Sequence, residues 1–489
     1  MSSLPSPSRS GVRIAGDLYQ WLLAWQGCIQ ILRDANVHSL NPVVCVGVEV
    51  DGVGNLDDIV RYRTRPPHHF AQVKYTVDST SPINESYLLT PSTKNAKPLL
   101  AKIVAAWRRL IETDEPFEMS LITNRAPDPD DPLLALRDSR TQLLMPRAGE
   151  KGPSSTIGRA RRRWAQAAGV DEITLLRVFE DLRFDLARDP AHVLELTQYL
   201  MAATGLRHDD AAVNAGVSWV GQQVRDGHRE LTAEIVREAI SKLDLLAGPA
   251  RAILSIATLK PDPLREEADY ALDWADRFQG DTAYSKRRPA PPAGWDQLQR
   301  DIEAAPGQLP RGTPSVAITG SIRLAPAFLV GTAFRMVTGA DLAVLQRGQL
   351  WSTNDRYGTP LRPMEDDIRL DQGPDLAVGV AIAADLTADV VEFLRMQEIP
   401  AERLLILRPP GGTADNSIPD AATANALAIG IRDAIRRASR TASRIHLFMA
   451  APMGLALMLG HRWNRIRPTT VYEDISISPV YEAAFEVDA

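Results

Sequence analysis

The chain has 489 residues, 45% of them apolar and 24% charged. That balance excludes global disorder, and the length calls for two to four domains at about 100–200 residues each. A net charge of −6 excludes a protein that coats nucleic acid over its whole surface, and two cysteines, Cys28 and Cys45, exclude a disulfide framework or a four-cysteine zinc site.

The N-terminal MSSLPSPSRSGVR is Ser/Pro-rich and lacks the apolar run of a signal peptide, which predicts a flexible tail over 1–12. No run reaches the roughly 18 apolar residues of a membrane helix, so no membrane partner is expected. Both cysteines sit in apolar stretches and read as small core residues, which predicts a reducing, cytoplasmic setting.

Leu18, Leu22, Trp25, Ile29 and Leu32 follow 4-3-4-3 spacing and predict a helix with one apolar face. Apolar, β-branched runs follow at 43–50 (VVCVGVEV), 58–62 (DIVRY), 70–75 (FAQVKY) and 118–123 (EMSLIT), with a helix expected around Leu99–Ile111. Gly52, Gly54 and Pro66-Pro67 punctuate them, and His68 and His69 read as a pair in a Pro-flanked loop. Residues 13–150 thus form one α/β domain.

Residues 151–260 change character and read as a helical connector of short helices, with Asp171 and Thr232 as N-caps. The arginines at 159 and 161–163 are open to two readings, a phosphate contact or a solvated helix face. From 261 to 489, strands and helices alternate after a Pro- and charge-rich stretch. Two such runs, 315–352 and 375–475, carry wholly apolar strands, the mark of parallel sheets covered on both faces. Ligands of such sheets bind outside the carboxyl ends of the strands. No GxGxxG or GxxxxGK[ST] is present, so dinucleotide or ATP binding by those loops has no support.

The candidate chemistry lies in Glu49-Val-Asp-Gly-Val-Gly-Asn-Leu-Asp57-Asp58-Ile, followed by Gln72-Val-Lys74. Strand alternation puts Gln72 and Lys74 on one face, about 7 Å apart. Asp58 opens the preceding strand of a hairpin. Phosphodiester hydrolysis needs hard oxygen ligands for Mg²⁺ and a cation near the developing charge. Asp58 supplies a carboxylate, Gln72 a side-chain carbonyl, and Lys74 a cation that orients or helps deprotonate water.

This order of helix, acid, Asp and (E/Q)-x-K resembles the PD-(D/E)xK nuclease superfamily, and the Gln form resembles its Mrr-like branch. The resemblance implies a restriction-endonuclease-like core cutting double-stranded DNA with Mg²⁺. It favours Asp58 over Asp57, because the acid stands directly before an aliphatic residue, Ile59. It also puts Gln20 in the slot of the polar residue on the first helix. Gln72 replaces the commoner Glu, and Glu49 compensates if it reaches the cleft. The implied catalytic set is Asp58, Gln72, Lys74, Glu49 and Gln20, with Asp58, Gln72, Glu49 and Asp57 as metal ligands.

Residues 315–353 and 444–474, above all HLFMAAPMGLALMLG, resemble the SAVED domain, two fused Rossmann-like halves related to CARF domains. The lead-in ADYALDWADRFQGDTAYSKRRP fits it too, and the resemblance spans about 265–489. Together the two parts resemble the nuclease–SAVED effectors of CBASS anti-phage defence. The resemblance implies activation by a cyclic oligonucleotide second messenger, with a cyclic trinucleotide containing adenine as the expected form, and self-association on ligand binding. Such a ligand needs cations, backbone N–H groups and aromatic faces. Lys286, Arg287 and Arg288 form a cationic run. Arg323, Trp351, Pro452 and Met453 lie at expected carboxyl ends of strands. Trp351 reads equally as core, and the cationic run equally as solvated loop. Two other functions fit the residues: a nucleotide-responsive DNA-binding regulator without catalysis, and a constitutive Mrr-like restriction endonuclease.

Overall fold

The structure is a computed structural model that describes residues 9–37, 39–52, 54–78, 80–310, 314–346, 349–370, 373–475 and 481–488. It divides into two units, Met1–Ala250 and Arg251–Ala489. Most of the tail expected over 1–12 lies outside the described residues, but residues 9–12 already belong to the first helix.

Unit 1 begins with α1 (Arg9–Asn36), whose spacing buries Leu22, Trp25, Ile29 and Leu32 and leaves Leu18 46% exposed. Then come β1 (Val43–Val48), β2 (Ile59–Arg63), β3 (His68–Lys74), α2 (Glu85–Leu89), α3 (Leu99–Ile111) and β4 (Phe117–Thr123). His68 and His69 open β3; they do not lie in a loop, and the His69 ring meets the Ser120 hydroxyl at 2.7 Å. The helices α4 (Thr156–Ala168), α5 (Glu172–Asp181), α6 (Pro190–Ala203), α7 (Asp210–Arg225) and α8 (Ala233–Lys242) follow.

Two short strands interrupt them, β5 (Leu182–Asp185) and β6 (Glu230–Thr232). Among the described residues the sheet order is β5-β4-β3-β2-β1-β6. Residues 151–250 are therefore no separate helical connector. β5 pairs parallel to β4 and β6 antiparallel to β1, so the stretch completes both edges of the N-terminal sheet. The arginine run is spent inside the unit. Arg161 is buried against Glu172 and the carbonyls of Ala148 and Lys151, and Arg163 grips Glu85 at 2.6 Å. Asp171 caps α5 through Thr174 N–H; Thr232 stands at the N-cap of α8 without a side-chain cap bond. On one face of the sheet α3, α4 and α5 cover Val60, Phe70, Met119 and Leu121. Gly216 of α7 lies directly under the Trp25 ring, where a Cβ would collide. Each such buried side chain contributes roughly 1.5–3 kcal/mol.

Unit 2 starts at β7 (Ala252–Ala257), inside what composition assigned to the connector. It continues through β8 (Tyr270–Asp273), α9 (Trp295–Ala304), β9 (Ser315–Thr319), α10 (Leu324–Ala333), β10 (Asp341–Gln346) and β11 (Gln349–Ser352). The order is β11-β10-β9-β7-β8, parallel apart from the β10–β11 hairpin. The second half comprises β12 (Met364–Arg369), β13 (Asp375–Ala381), α11 (Thr387–Met396), β14 (Ala401–Arg408) and α12 (Ala421–Ala438). β15 (Ile445–Ala450), α13 (Met453–His461), β16 (Thr469–Asp474) and β17 (Tyr481–Val487) close it. Its order is β12-β14-β13-β15-β16-β17, a parallel centre with antiparallel edges.

The halves share one apolar core. α10 follows β9, α13 follows β15, and the two helices approach through Gly331 and Gly460: a Cβ at either would strike the Leu457 or the Phe328 carbonyl. Both cysteines are free, and burial pushes the Cys45 thiol up to about 11. Among the described residues, no helix is long and apolar enough to cross a membrane.

Candidate functional site

In unit 1 the β2–β3 hairpin runs antiparallel with Ile59 opposite Ala71, a register that sets Asp58 opposite Gln72. Cross-strand neighbours share a face, and the side chains meet. Gln72, 3% exposed, donates its amide to Asp58 Oδ2. Val73 N–H donates to the same oxygen at 2.7 Å, and Lys74 Nζ stands 3.8 Å from it. Lys74 Nζ also donates to the Val73 carbonyl at 3.2 Å. From α1, Gln20 donates to the Asp58 backbone carbonyl at 3.1 Å, so it holds the backbone of the acid and not its carboxylate.

Glu49 and Asp57 are arranged differently. Glu49, the residue after β1, is in a left-handed conformation, φ 52°, and its N–H donates to the Asp58 carbonyl at 3.2 Å. Val50 N–H donates to the Asp57 carbonyl at 3.1 Å. Both residues thus join the hairpin through their backbones. Among the described residues no three His, Cys, Asp or Glu side chains gather to hold a metal, so of the expected ligands Asp58, Gln72, Glu49 and Asp57 the three acids do not form a cluster. Burial, with the Asp58 carboxylate next to it, raises the Asp57 carboxyl above its ordinary value. Arg229, just ahead of β6, donates to the Glu49 carbonyl at 2.6 Å; nothing in its sequence context pointed to that place. The oxygens at hand, one carboxylate and one amide carbonyl beside a lysine, are hard donors. They suit a Mg²⁺ ion that keeps most of its own water.

In unit 2 the residues expected to contact a ligand prove largely engaged. Arg323, at the N-cap of α10, donates from Nε and Nη2 to Glu473 Oε1 at 2.9 and 2.6 Å, and from Nη2 to the Asp474 carbonyl. Glu473 is 3% exposed, and burial raises its carboxyl above the usual range against the pull of Arg323. Lys286 is buried on the Ala275 carbonyl, Arg287 pairs with Asp474 at 3.2 Å, and Arg288 with Glu482 at 3.6 Å. The cationic run therefore points at internal partners. Trp351, 2% exposed, packs over Gly454 in the core and offers no open stacking face. Pro452 and Met453 do stand at the carboxyl end of β15, half-buried at the start of α13.

A reciprocal arrangement joins the halves there. Ala325 N–H, in the first turn of α10, donates to Glu473 at the end of β16 at 2.8 Å; Gly454 N–H, in the first turn of α13, donates to Gln346 at the end of β10 at 3.0 Å. Neither Glu473 nor Gln346 carried a motif; each shows only as a polar residue ending an apolar strand.

Residues 297–487 match the family model SAVED, described as the SMODS-associated and fused to various effectors sensor domain. No curated protein matches the chain. Among solved structures the chain is similar to the Cap4 SAVED/CARF-domain containing receptor of Acinetobacter baumannii with the cyclic trinucleotide 3'3'3'-cAAA. The identity is 15%, the TM-score 0.41, and 99% of each chain is covered. It is also similar to the Moraxella osloensis Cap4 SAVED/CARF-domain containing receptor, at 14% identity and TM-score 0.40, over 97% of this chain and 99% of that one.

Proposed function

We propose that the chain is a cyclic-oligonucleotide-activated, Mg²⁺-dependent double-stranded DNA endonuclease of the CBASS type, with unit 2 as sensor and unit 1 as effector. The sensor half of the reading is supported by the SAVED match over 297–487. The effector half is carried by one observation, the convergence of Gln72, Val73 N–H and Lys74 on Asp58 at the end of a β-hairpin.

In this reading Asp58 and the Gln72 carbonyl hold Mg²⁺, which supplies charge stabilisation and an activated water when bound. Lys74, 3.8 Å from Asp58, offsets the negative charge that develops on the phosphate and takes part in moving the water's proton. Gln20 keeps Asp58 in place through its carbonyl. With one carboxylate in the set, Mg²⁺ is held weakly, in keeping with a site that fills once DNA phosphate adds further oxygens.

The ligand class is the one SAVED domains imply, a cyclic oligonucleotide, with an adenine-containing trinucleotide as the specific proposal. Its site is the carboxyl-end side of the parallel strands of unit 2, where Pro452 and Met453 stand. Binding drives self-association of the chain, which brings effector units together to cut both strands.

Two measurements test this. A panel of cyclic di- and trinucleotides should contain one that raises the unfolding temperature of the whole chain; a hundredfold excess over Kd corresponds to about 2.7 kcal/mol. Lys74→Ala should keep that shift and lose plasmid cleavage. Cleavage surviving in Lys74→Ala removes the effector assignment, and a panel without any stabilising ligand removes the sensor assignment.

A further inference from the structure

Unit 2 carries a second feature, at the opposite end of the central strands of its larger sheet. The last turn of α12 and the loop ahead of β16 enclose a cleft of about 720 Å³ lined by Arg436, Arg437, Arg440, Arg465 and Arg467. These segments immediately precede β15 and β16, so the cleft lies at the amino ends of the parallel strands. The sensor region proposed above lies at their carboxyl ends, so on that reading the cleft is separate from the cyclic-nucleotide site.

All five arginines are exposed. Two have internal tasks: Arg437 pairs with Glu365 at 2.7 Å, and Arg467 donates to the Arg440 carbonyl at 2.6 Å. Arg436, Arg440 and Arg465 form no ion pair among the described residues. The one carboxylate on the wall, Asp433, is held by Arg432 at 2.6 Å. A helix C-terminus accounts for one or two cations on its last turn. It does not account for two further arginines brought in from a separate loop.

We infer that this cleft binds the phosphate backbone of duplex DNA, which adds a DNA-contacting face to unit 2 beyond the chemistry proposed for unit 1. The lining argues for backbone over base. Its only apolar member is Ile466, and no aromatic ring is present on which a base or free nucleotide could stack. The cleft is also far larger than a single phosphate. A chain of net charge −6 repels DNA at long range, so a local cluster of unpaired arginines is where contact is won.

The test is binding of a fluorescent DNA duplex to the full-length protein in EDTA, where no cleavage occurs. Each phosphate contact contributes about −0.9 to the slope of log K against log salt. Arg436→Glu/Arg440→Glu/Arg465→Glu should weaken binding at least about a hundredfold near 50 mM salt and make the slope shallower by roughly 2–3. Between about 50 and 200 mM salt the wild type should then lose roughly 40-fold more affinity than the variant. The charge-neutral triple Gln variant, which keeps side-chain length, should show the same change of slope with a smaller loss. An unchanged slope in a folded variant overturns the inference. So does a variant that keeps DNA affinity but loses cyclic-trinucleotide binding, since the cleft would then belong to the sensor. The catalytic reading is judged separately, by loss of plasmid cleavage in Lys74→Ala, and this inference by the duplex-binding slope of the arginine variants, so a failure of one and a failure of the other give different results.

Discussion

Replacing Arg323 with methionine removes the cation that neutralises Glu473 and keeps most of the buried volume filled. Two guanidinium contacts, at 2.6 and 2.9 Å, are lost from Glu473 Oε1, and the Asp474 carbonyl loses a third. What remains for the carboxylate is the Ala325 N–H at 2.8 Å and the start of α10, worth about 0.3–2 kcal/mol to an anion. Breaking one side of a buried pair costs about 3–5 kcal/mol, so a net loss of about 3 kcal/mol is expected for unit 2. The loss should depend on pH with a definite sign. The Glu473 carboxyl is already raised by burial, and without Arg323 it rises further. The folded variant then binds a proton that the unfolded chain releases. Its penalty is small near the ordinary Glu range and grows as pH rises through the new value. Glu473→Gln in the same background removes the charge, keeps the bond to Ala325, and should restore about 2 kcal/mol. The assay is urea unfolding followed by tryptophan fluorescence, in which about 3 kcal/mol moves a midpoint by roughly 1–3 M. A single-variant loss below about 1 kcal/mol, or a double variant no more stable than the single, refutes the reasoning and returns Arg323 to the surface as a ligand contact.

Other expectations follow from the same geometry. Gln72→Glu should keep or raise cleavage. In EDTA it should lower stability by about 1–3 kcal/mol, because a second carboxylate replaces the amide that donates to Asp58, and Mg²⁺ should restore the loss in a thermal-shift assay. Asp57→Ala should impair cleavage less than Asp58→Ala, since Asp58 alone receives Gln72 and Val73 N–H; the reverse order in a plasmid assay means the wrong carboxylate was chosen. His461, buried on the Phe334 carbonyl, is pushed down to about 4. The unfolded chain therefore binds this proton first on acidification, and stability is lost between about pH 6.5 and 4, by about 2 kcal/mol at pH 5. A His461→Gln variant should lack that part of the slope in urea melts; an identical slope assigns the acid loss elsewhere.

Local pattern carried much of the fold. The 4-3-4-3 spacing of α1, the limits of α3 and the β2–β3 hairpin were legible because each is set by neighbours in sequence. The shared face of Gln72 and Lys74 follows from strand alternation, whereas the pairing of Asp58 with Gln72 needs the hairpin register as well. What was not legible depends on distant partners. β5 and β6 are only four and three residues long, too short to show a period of two, and are strands because β4 and β1 offer them free edges. Arg287 and Arg288 look free in sequence, but Asp474 and Glu482, nearly 200 residues on, absorb their charge. Position after a strand suggests a ligand contact for Arg323 and leaves Trp351 open between ligand contact and core. The acid that binds the first is 150 residues away, and the room for the second exists because residue 454 is glycine.

The central claim is that a ligand on unit 2 switches on chemistry at Asp58. Supercoiled plasmid should be incubated with the purified full-length chain and Mg²⁺, with and without a cyclic tri-adenylate, beside an Asp58→Ala protein of equal stability. The account predicts cutting only when wild-type protein, Mg²⁺ and the cyclic nucleotide are all present, and none by Asp58→Ala under any condition. Cutting by wild type without the nucleotide, or by Asp58→Ala with it, contradicts the account.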